Sequence, residues 1–173
     1  TFRNDIDPNY KANRSEAPKE LKEQLPICID MIERMGLCSL RVEGYEADDI
    51  IGTVSAICAR NDVECYISTG DRDSFQLVND KVTVRLAKTK GDVLYTPDVI
   101  MEEYGVTPKQ MIDVKALMGD SSDNIPGVAG IGEKTALKLI AACGSLDALY
   151  ADEAMGGAGK SAKEKLSAGR ESA

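Results

Sequence analysis

Seven candidate metal ligands, all carboxylates, crowd into three short segments. Glu46, Asp48 and Asp49 lie in "EGYEADD" (43–49), Asp71 and Asp73 in "STGDRD" (68–73), and Asp120 and Asp123 in "GDSSDNIP" (119–126). Like charges this close repel one another, so their combination asks for a cation. Carboxylate oxygens are hard donors that suit Mg²⁺ or Mn²⁺. Two such ions can activate a water and stabilise the leaving oxygen of an in-line phosphoryl displacement. Each cluster also has an ordinary reading. Acids in a first helical turn are favoured by the helix dipole. "TGD" after a strand makes a turn at Gly70, and Asp123 can cap the next turn of chain.

Composition narrows the chemistry. The chain of 173 residues contains no histidine, which excludes His-based triads and His-ligated zinc. The five cysteines (Cys28, Cys38, Cys58, Cys65, Cys143) form no C-x-x-C pair and read as small buried hydrophobes in a reducing compartment. A net charge of −8 speaks against nucleic acid on average. Setting the seven clustered acids aside leaves acids and bases nearly equal in number, which permits local basic patches. Hydrophobic content of 43% and charged content of 29% fit a soluble globular chain with a real core. No apolar run reaches transmembrane length, and no signal peptide opens the chain. "TFRND" at the start reads as mid-chain. The small polar stretch 155–173 reads as a frayed tail or the start of a longer helical region.

The acids need elements to position them. Residues 1–17 read as loop or a short helix. A helix is expected over 19–35, kinked or restarted at Pro26 and ended by Gly36. A short strand is expected over 37–42. The apolar stripe Ala47, Ile50, Ile51, Val54, Ile57 and Cys58 predicts an amphipathic helix over 46–60. Strands are expected at 63–68, 82–86 and 93–95, with one or two helical turns over 73–78. Pro97 and Gly105 bracket a helix over 97–104, and Pro108 opens another to Met118. This alternation predicts βαβ units and a parallel sheet, followed by a helical second half. Ligands of open parallel sheets bind beyond the carboxyl ends of strands. "EGYEADD" and "STGDRD" both come after predicted strands, so both fall on one sheet edge.

The segment "IPGVAGIGEKTALKLI" (125–140) has another character. Gly127, Gly130 and Gly132 let backbone N–H groups approach a phosphate, and a new helix N-terminus begins near Glu133. Lys134 and Lys138, four apart, share a face. Such a helix–hairpin–helix can hold a duplex backbone without reading sequence. A tight αα-turn using glycine for geometry alone is the ordinary alternative.

Four strings, in order and spacing, resemble one family. "YKANR" (10–14), "VEGYEADDIIGT" (42–53), "STGDRD" (68–73) and "LMGDSSDNIPGVAGIGEKTA" (117–136) are similar to the 5′-nuclease, flap endonuclease-like domain of bacterial DNA polymerase I. The resemblance implies an α/β PIN-like nuclease core with a parallel sheet and a helical arch, plus a C-terminal helix-hairpin-helix (helix-three-turn-helix) DNA-binding element. It divides the chain into a core over 1–106, with the arch at about 1–35, and a DNA-binding region over 107–173. It implies that the seven acids match the family's metal ligands for Mg²⁺ or Mn²⁺, two ions in the complete domain. Lys11 and Arg14 match arch residues that contact the scissile phosphate, and Tyr10 an aromatic that stacks on a base. Gly127 to Gly132 match the hairpin that grips duplex phosphates and can bind K⁺ in relatives; Lys134 and Lys138 stand beside it. The family's first strand carries a further aspartate, and another acid precedes its arch; both would lie upstream of Thr1.

The implied activity is structure-specific 5′-3′ exonuclease and flap endonuclease cleavage of DNA, in primer removal and repair as part of DNA polymerase I. The implied substrates are 5′ flaps, nicks and single/double-strand junctions, with the RNA primer of a replication fragment. The protein would act as a monomer in the bacterial cytoplasm, without a membrane. Two alternatives stand beside it. One is a non-catalytic, structure-specific DNA-binding module. The other is a phosphotransfer or phosphatase domain with an aspartate nucleophile, which has no use for a duplex grip.

Overall fold

A computed structural model describes residues 1–151 and 157–170. Its sheet has three strands: β1 (Cys65–Thr69), β2 (Val82–Leu86) and β3 (Val93–Tyr95), in that order. β1 runs parallel to β2, with Cys65 opposite Val82 and Thr69 opposite Leu86. β3 returns antiparallel, with Val84 opposite Tyr95. The sheet is therefore mixed, and its parallel pair is β1–β2. The short link 87–92 explains the turn-back, because a parallel return would need a long crossover. Val82, Val84 and Leu86 alternate along β2 and are buried. They pack with Ile67, Tyr95 and Ile100, and with Phe75 from a 3₁₀ helix over Arg72–Leu77. Phe75 stacks on Tyr95 with ring centres 4.2 Å apart.

Three helices precede or flank the sheet: α1 (Arg3–Ile6), α2 (Lys19–Arg34) and α3 (Ala47–Arg60). α2 runs through Pro26 as one helix and ends before Gly36, whose φ of +80° suits glycine. The strand expected over 37–42 is absent. That segment finds no ladder partner among the described residues, and Leu37, Leu40 and Val42 are exposed. A strand exists only through its neighbour, which local pattern cannot supply. The stripe on α3 is also only half used. Ile51, Gly52, Ser55 and Ala59 form the inward side, while Val54 and Ile57 are exposed. The cysteine expectation needs the same correction. Cys28 and Cys38 are exposed and the other three only half-buried; Cys28 lies on α2, which buries none of its residues.

The second half is helical: α4 (Pro97–Tyr104), α5 (Gln110–Met118), α6 (Glu133–Cys143), α7 (Leu146–Ala151) and α8 (Lys160–Ala168). Thr96 caps α4 ahead of Pro97, and Gly105 closes it in the left-handed region. α5 starts two residues later than Pro108 suggests. The Thr107 N–H donates to Gln110 Oε1 and the Gln110 N–H to Thr107 Oγ1, which closes a turn through Pro108 ahead of the helix, whose N-cap is Lys109. Leu117, Val128, Ala136, Ile140, Leu149 and Leu166 are buried in one core that joins α5 to α8. Tyr104 and Met111 pack against both this core and the sheet core, coupling them. The stretch 155–173 is helical over Lys160–Ala168; its residues 155–156 and 171–173 lie outside the described residues. No described helix is long and apolar enough to cross a membrane.

Candidate metal centre

Three chain turns deliver the acids. Asp48 and Asp49 occupy the first turn of α3, with Glu46 at its N-cap. Asp71 and Asp73 come after the carboxyl end of β1, where Asp71 accepts the Asp73 backbone N–H at 2.9 Å. Asp120 and Asp123 sit in the loop after α5. That loop is pinched shut by mutual backbone bonds of 2.8 Å between Asp120 and Ile125. It closes this tightly because Gly119 and Gly127 touch: a Cβ on Gly127 would lie 2.3 Å from the Gly119 nitrogen. Both glycines have positive φ, so geometry alone requires them.

The turns meet. One cleft of about 390 Å³ is lined by Glu46, Asp48, Asp71, Asp73, Asp120 and Asp123, together with Lys11, Arg14 and Lys115. Asp49 faces an adjoining cleft with Arg3 and Tyr10. Six of the seven predicted acids thus share one cavity, and the seventh lines its neighbour.

Cations from the chain already hold several of these acids. Arg3 grips Asp49 with two bonds of 2.8 and 2.7 Å. Asp49 also accepts the Glu46 backbone N–H at 2.8 Å, one half of a capping box. The Arg3 bonds, then this backbone bond, lower the Asp49 carboxyl to about 2. Lys11 reaches Glu46 at 2.5 Å and Asp123 at 3.7 Å. Burial opposes ionisation of Glu46, but the Lys11 contact prevails and lowers its pKa. Arg14 pairs with Asp123 at 2.5 Å. Tyr10 donates toward Glu46 and Asp123 at 3.1 and 3.3 Å, and Lys11 lies 4.7 Å from its ring centre. In this arrangement Tyr10 is a polar bridge rather than an open stacking face. Backbone contacts anchor the segment: the Lys11 N–H bonds the Asp123 carbonyl at 3.0 Å, with Lys11 itself at φ +58°.

Two cations escaped sequence reasoning. Lys115 bridges Asp73 at 2.7 Å and Asp120 at 2.8 Å. Burial works against the Asp120 carboxylate, yet Lys115 and Ser122 hold it well below the usual range. A lone lysine between Val114 and Leu117, just ahead of the acids, was the available signal. Arg3 left none, since its partner is distant in sequence.

Asp48 behaves differently. Its side chain makes no hydrogen bond or ion pair among the described residues, and burial, then the charges of Asp71 and Asp73, raise its pKa. Here carboxylates face one another without enough positive charge, the electrostatic setting that a hard divalent cation relieves. As the side chains stand, no group of three acids or cysteines among the described residues converges to hold an ion. The donor chemistry fits a divalent ion, and chain cations occupy part of the donor set.

The hairpin lies beyond the acids. Val128 is buried and bonds the Leu117 carbonyl at 2.8 Å. Gly132 caps α6 with open space before it. Lys134 and Lys138 are exposed on α6 and form no ion pair or hydrogen bond with the acids.

Known proteins share the sequence and the fold of this chain. The chain is 46% identical over 171 residues to DNA polymerase I of Bacillus subtilis, covering 96% of this chain and 19% of that protein. It is 50% identical over 151 residues to the 5′-3′ exonuclease of Bacillus subtilis, covering 86% of this chain and 51% of that protein. The chain thus spans about a fifth of the first relative and half of the second. Solved structures of the T5 5′-exonuclease share the fold. One with divalent zinc ions has a TM-score of 0.81 at 28% identity, covering 99% of this chain and 66% of that one. Another, a T5 flap endonuclease complex with DNA and metal ions, has a TM-score of 0.80 at 26% identity, with the same coverage. The family model for the 5′-3′ exonuclease N-terminal resolvase-like domain matches residues 1–105, and that for its C-terminal SAM fold matches 106–173. The chain belongs to the 5′-3′ exonuclease family.

Proposed function

We propose that this chain is the nuclease unit of a structure-specific 5′-3′ exonuclease and flap endonuclease. It hydrolyses DNA phosphodiester bonds with divalent metal, within a DNA polymerase I that removes primers and repairs DNA. The observation that carries this reading is the single cleft shared by six acids, Lys11 and Arg14. Mg²⁺ or Mn²⁺, two ions in the complete domain, would be held by Glu46, Asp48, Asp49, Asp71, Asp73, Asp120 and Asp123. When bound, such ions supply Lewis-acid stabilisation and lower the pKa of water. Lys11 and Arg14 turn from their carboxylates to the scissile phosphate and neutralise its developing charge. Tyr10, released from Glu46 and Asp123, offers its ring to a base.

Residues 1–106 form the catalytic unit with its arch at about 1–35, and 107–173 the duplex-binding unit. Gly127, Gly130, Gly132, Lys134 and Lys138 hold duplex phosphates there, and hairpin carbonyls offer a K⁺ site. Substrates are 5′ flaps, nicks and junctions, including RNA primers; the protein works as a cytoplasmic monomer.

A second reading has its own support. Glu46, Asp49, Asp73, Asp120 and Asp123 already carry ion pairs, as a non-catalytic DNA-binding module would leave them. Cleavage of a 5′-flap duplex in Mg²⁺ by the full-length protein separates the two. The nuclease reading expects cleavage that EDTA stops and that Asp71→Ala or Asp120→Ala reduces at least ~100-fold. Cleavage intact in both variants sinks the metal-site assignment. Duplex binding without cleavage by the parent protein establishes the binding module.

A further inference from the structure

α8 docks directly onto the glycine hairpin. Leu166 is fully buried in the helical core. A Cβ on Gly169 would come within 3.0 Å of Val128 Cγ1, so the end of α8 lies against the hairpin. Between them, Lys165 crosses Gly130: its Nζ donates to the Gly130 carbonyl at 3.2 Å. A Cβ on Gly130 would meet the Lys165 Nζ at 3.0 Å and Cε at 3.1 Å, a tight contact that places the lysine end directly over the hairpin, and the Gly130 φ of +77° favours glycine there. Both residues are exposed. An ammonium has three donors. One is taken by the carbonyl, and no acid neutralises the charge, because Lys165 forms no ion pair among the described residues. The surroundings are basic in an otherwise acidic chain: Lys160, Lys163, Lys165 and Arg170 stand against Glu164 over residues 160–170.

We infer that Lys165 is a duplex-phosphate contact of the hairpin, clamping the Gly130 carbonyl with one donor and offering the others to a backbone phosphate. α8 thereby becomes part of the nucleic-acid surface rather than a brace behind it. This rests on the hairpin binding duplex DNA, as proposed above. A phosphate contact releases counterions, so it appears in the salt dependence of binding, whereas a brace does not.

The experiment measures duplex affinity of the full-length protein between 50 and 200 mM salt, for Lys165→Ala, Lys165→Arg and Lys134→Ala. Lys165→Ala is expected to weaken binding roughly five-fold and to flatten the log–log salt slope by about 0.9, so that the parent loses about 3.5-fold more affinity over that range. Lys165→Arg should keep the parental slope. Weaker binding of Lys165→Ala with an unchanged slope would make Lys165 a brace and overturn the inference. So would parental binding of Lys165→Ala while Lys134→Ala binds weakly, which leaves the hairpin reading standing. If neither alanine variant weakens binding, the hairpin reading falls and this inference falls with it.

Discussion

Residues 1–54 contain no buried side chain, whereas the described residues of 106–170 close around a core that includes Leu117, Ile140, Leu149 and Leu166, all fully buried. The first region attaches to the second through polar groups. Asn13 bonds the Ser121 carbonyl at 2.6 Å, Arg14 bonds that of Ser122 at 3.2 Å, and Asn124 bonds that of Asn9 at 2.8 Å. The acids lie along this seam. Apolar burial is lost outright when it opens, but polar contacts are exchanged with water at small net cost. The helical region should therefore stay folded while the cationic segment 3–14 lets go. On the proposed nuclease reading, that division lets the chain cations leave their carboxylates before metal and phosphate enter.

The largest expected effect tests the rigid side. Leu117 is fully buried, and its carbonyl takes the Val128 N–H at the foot of the hairpin. Leu117→Ala should cost about 2–5 kcal/mol and lower the melting temperature by roughly 10 °C. Calorimetry checks this directly. A cost below about 1 kcal/mol would mean that the helical region is not the well-packed half, and the contrast would collapse.

The two regions also differ in how far the sequence announced them. β2, β3 and α4 fall where alternation, Pro97 and Gly105 put them, because turn chemistry and capping act within a few residues. The placing of the acids was legible only in part: Asp71 and Asp73 follow the carboxyl end of β1 as expected, whereas Glu46, Asp48 and Asp49 follow no strand and Asp120 and Asp123 come from the loop after α5. Arg3 with Asp49, and Lys115 with Asp73, were not legible. Those partners lie 46 and 42 residues apart, and no local pattern encodes the meeting of two charges across a fold. The missing strand at 37–42 and the exposed Cys28 failed the same way, since pattern records a wish to be buried and not a surface to be buried against.

A medium effect tests the polar side. Arg3→Met removes the two bonds to Asp49 and should cost about 1–2 kcal/mol at neutral pH. The sign with pH is set by the depressed carboxyl. An Asp49 pKa of about 2 in the folded protein contributes stability that is fully present above the unfolded value. That unfolded value is about 3.9, and the contribution is lost as pH falls through about 2. Denaturant melts in EDTA should thus show the Arg3→Met deficit in full above pH 4 and shrinking toward pH 2. A deficit constant across that range would show that Arg3 acts by packing, and would move the first region toward the second in kind.

The smallest expected effect is the sharpest probe of the comparison. Leu25 and Ile32 on α2 are 51% and 41% exposed, against none for Leu117. Leu25→Ala removes side-chain surface that water already touches, and alanine is at least as good a helix former as leucine. The expected change is within about 0.5 kcal/mol, an order of magnitude below the upper range for Leu117→Ala. Equal treatment of the two leucines makes the pair a controlled experiment: same residue deleted to the same methyl, with only the surroundings different. Denaturant midpoints for both variants, read on the same protein, report the difference without needing either absolute value. If Leu25→Ala costs about 2 kcal/mol or more, at the level of a core deletion, then the apolar face of α2 is covered in solution. Residues 1–54 would then be held by burial as well as charge, and release of the cationic segment would carry a far larger penalty than the ion pairs alone impose.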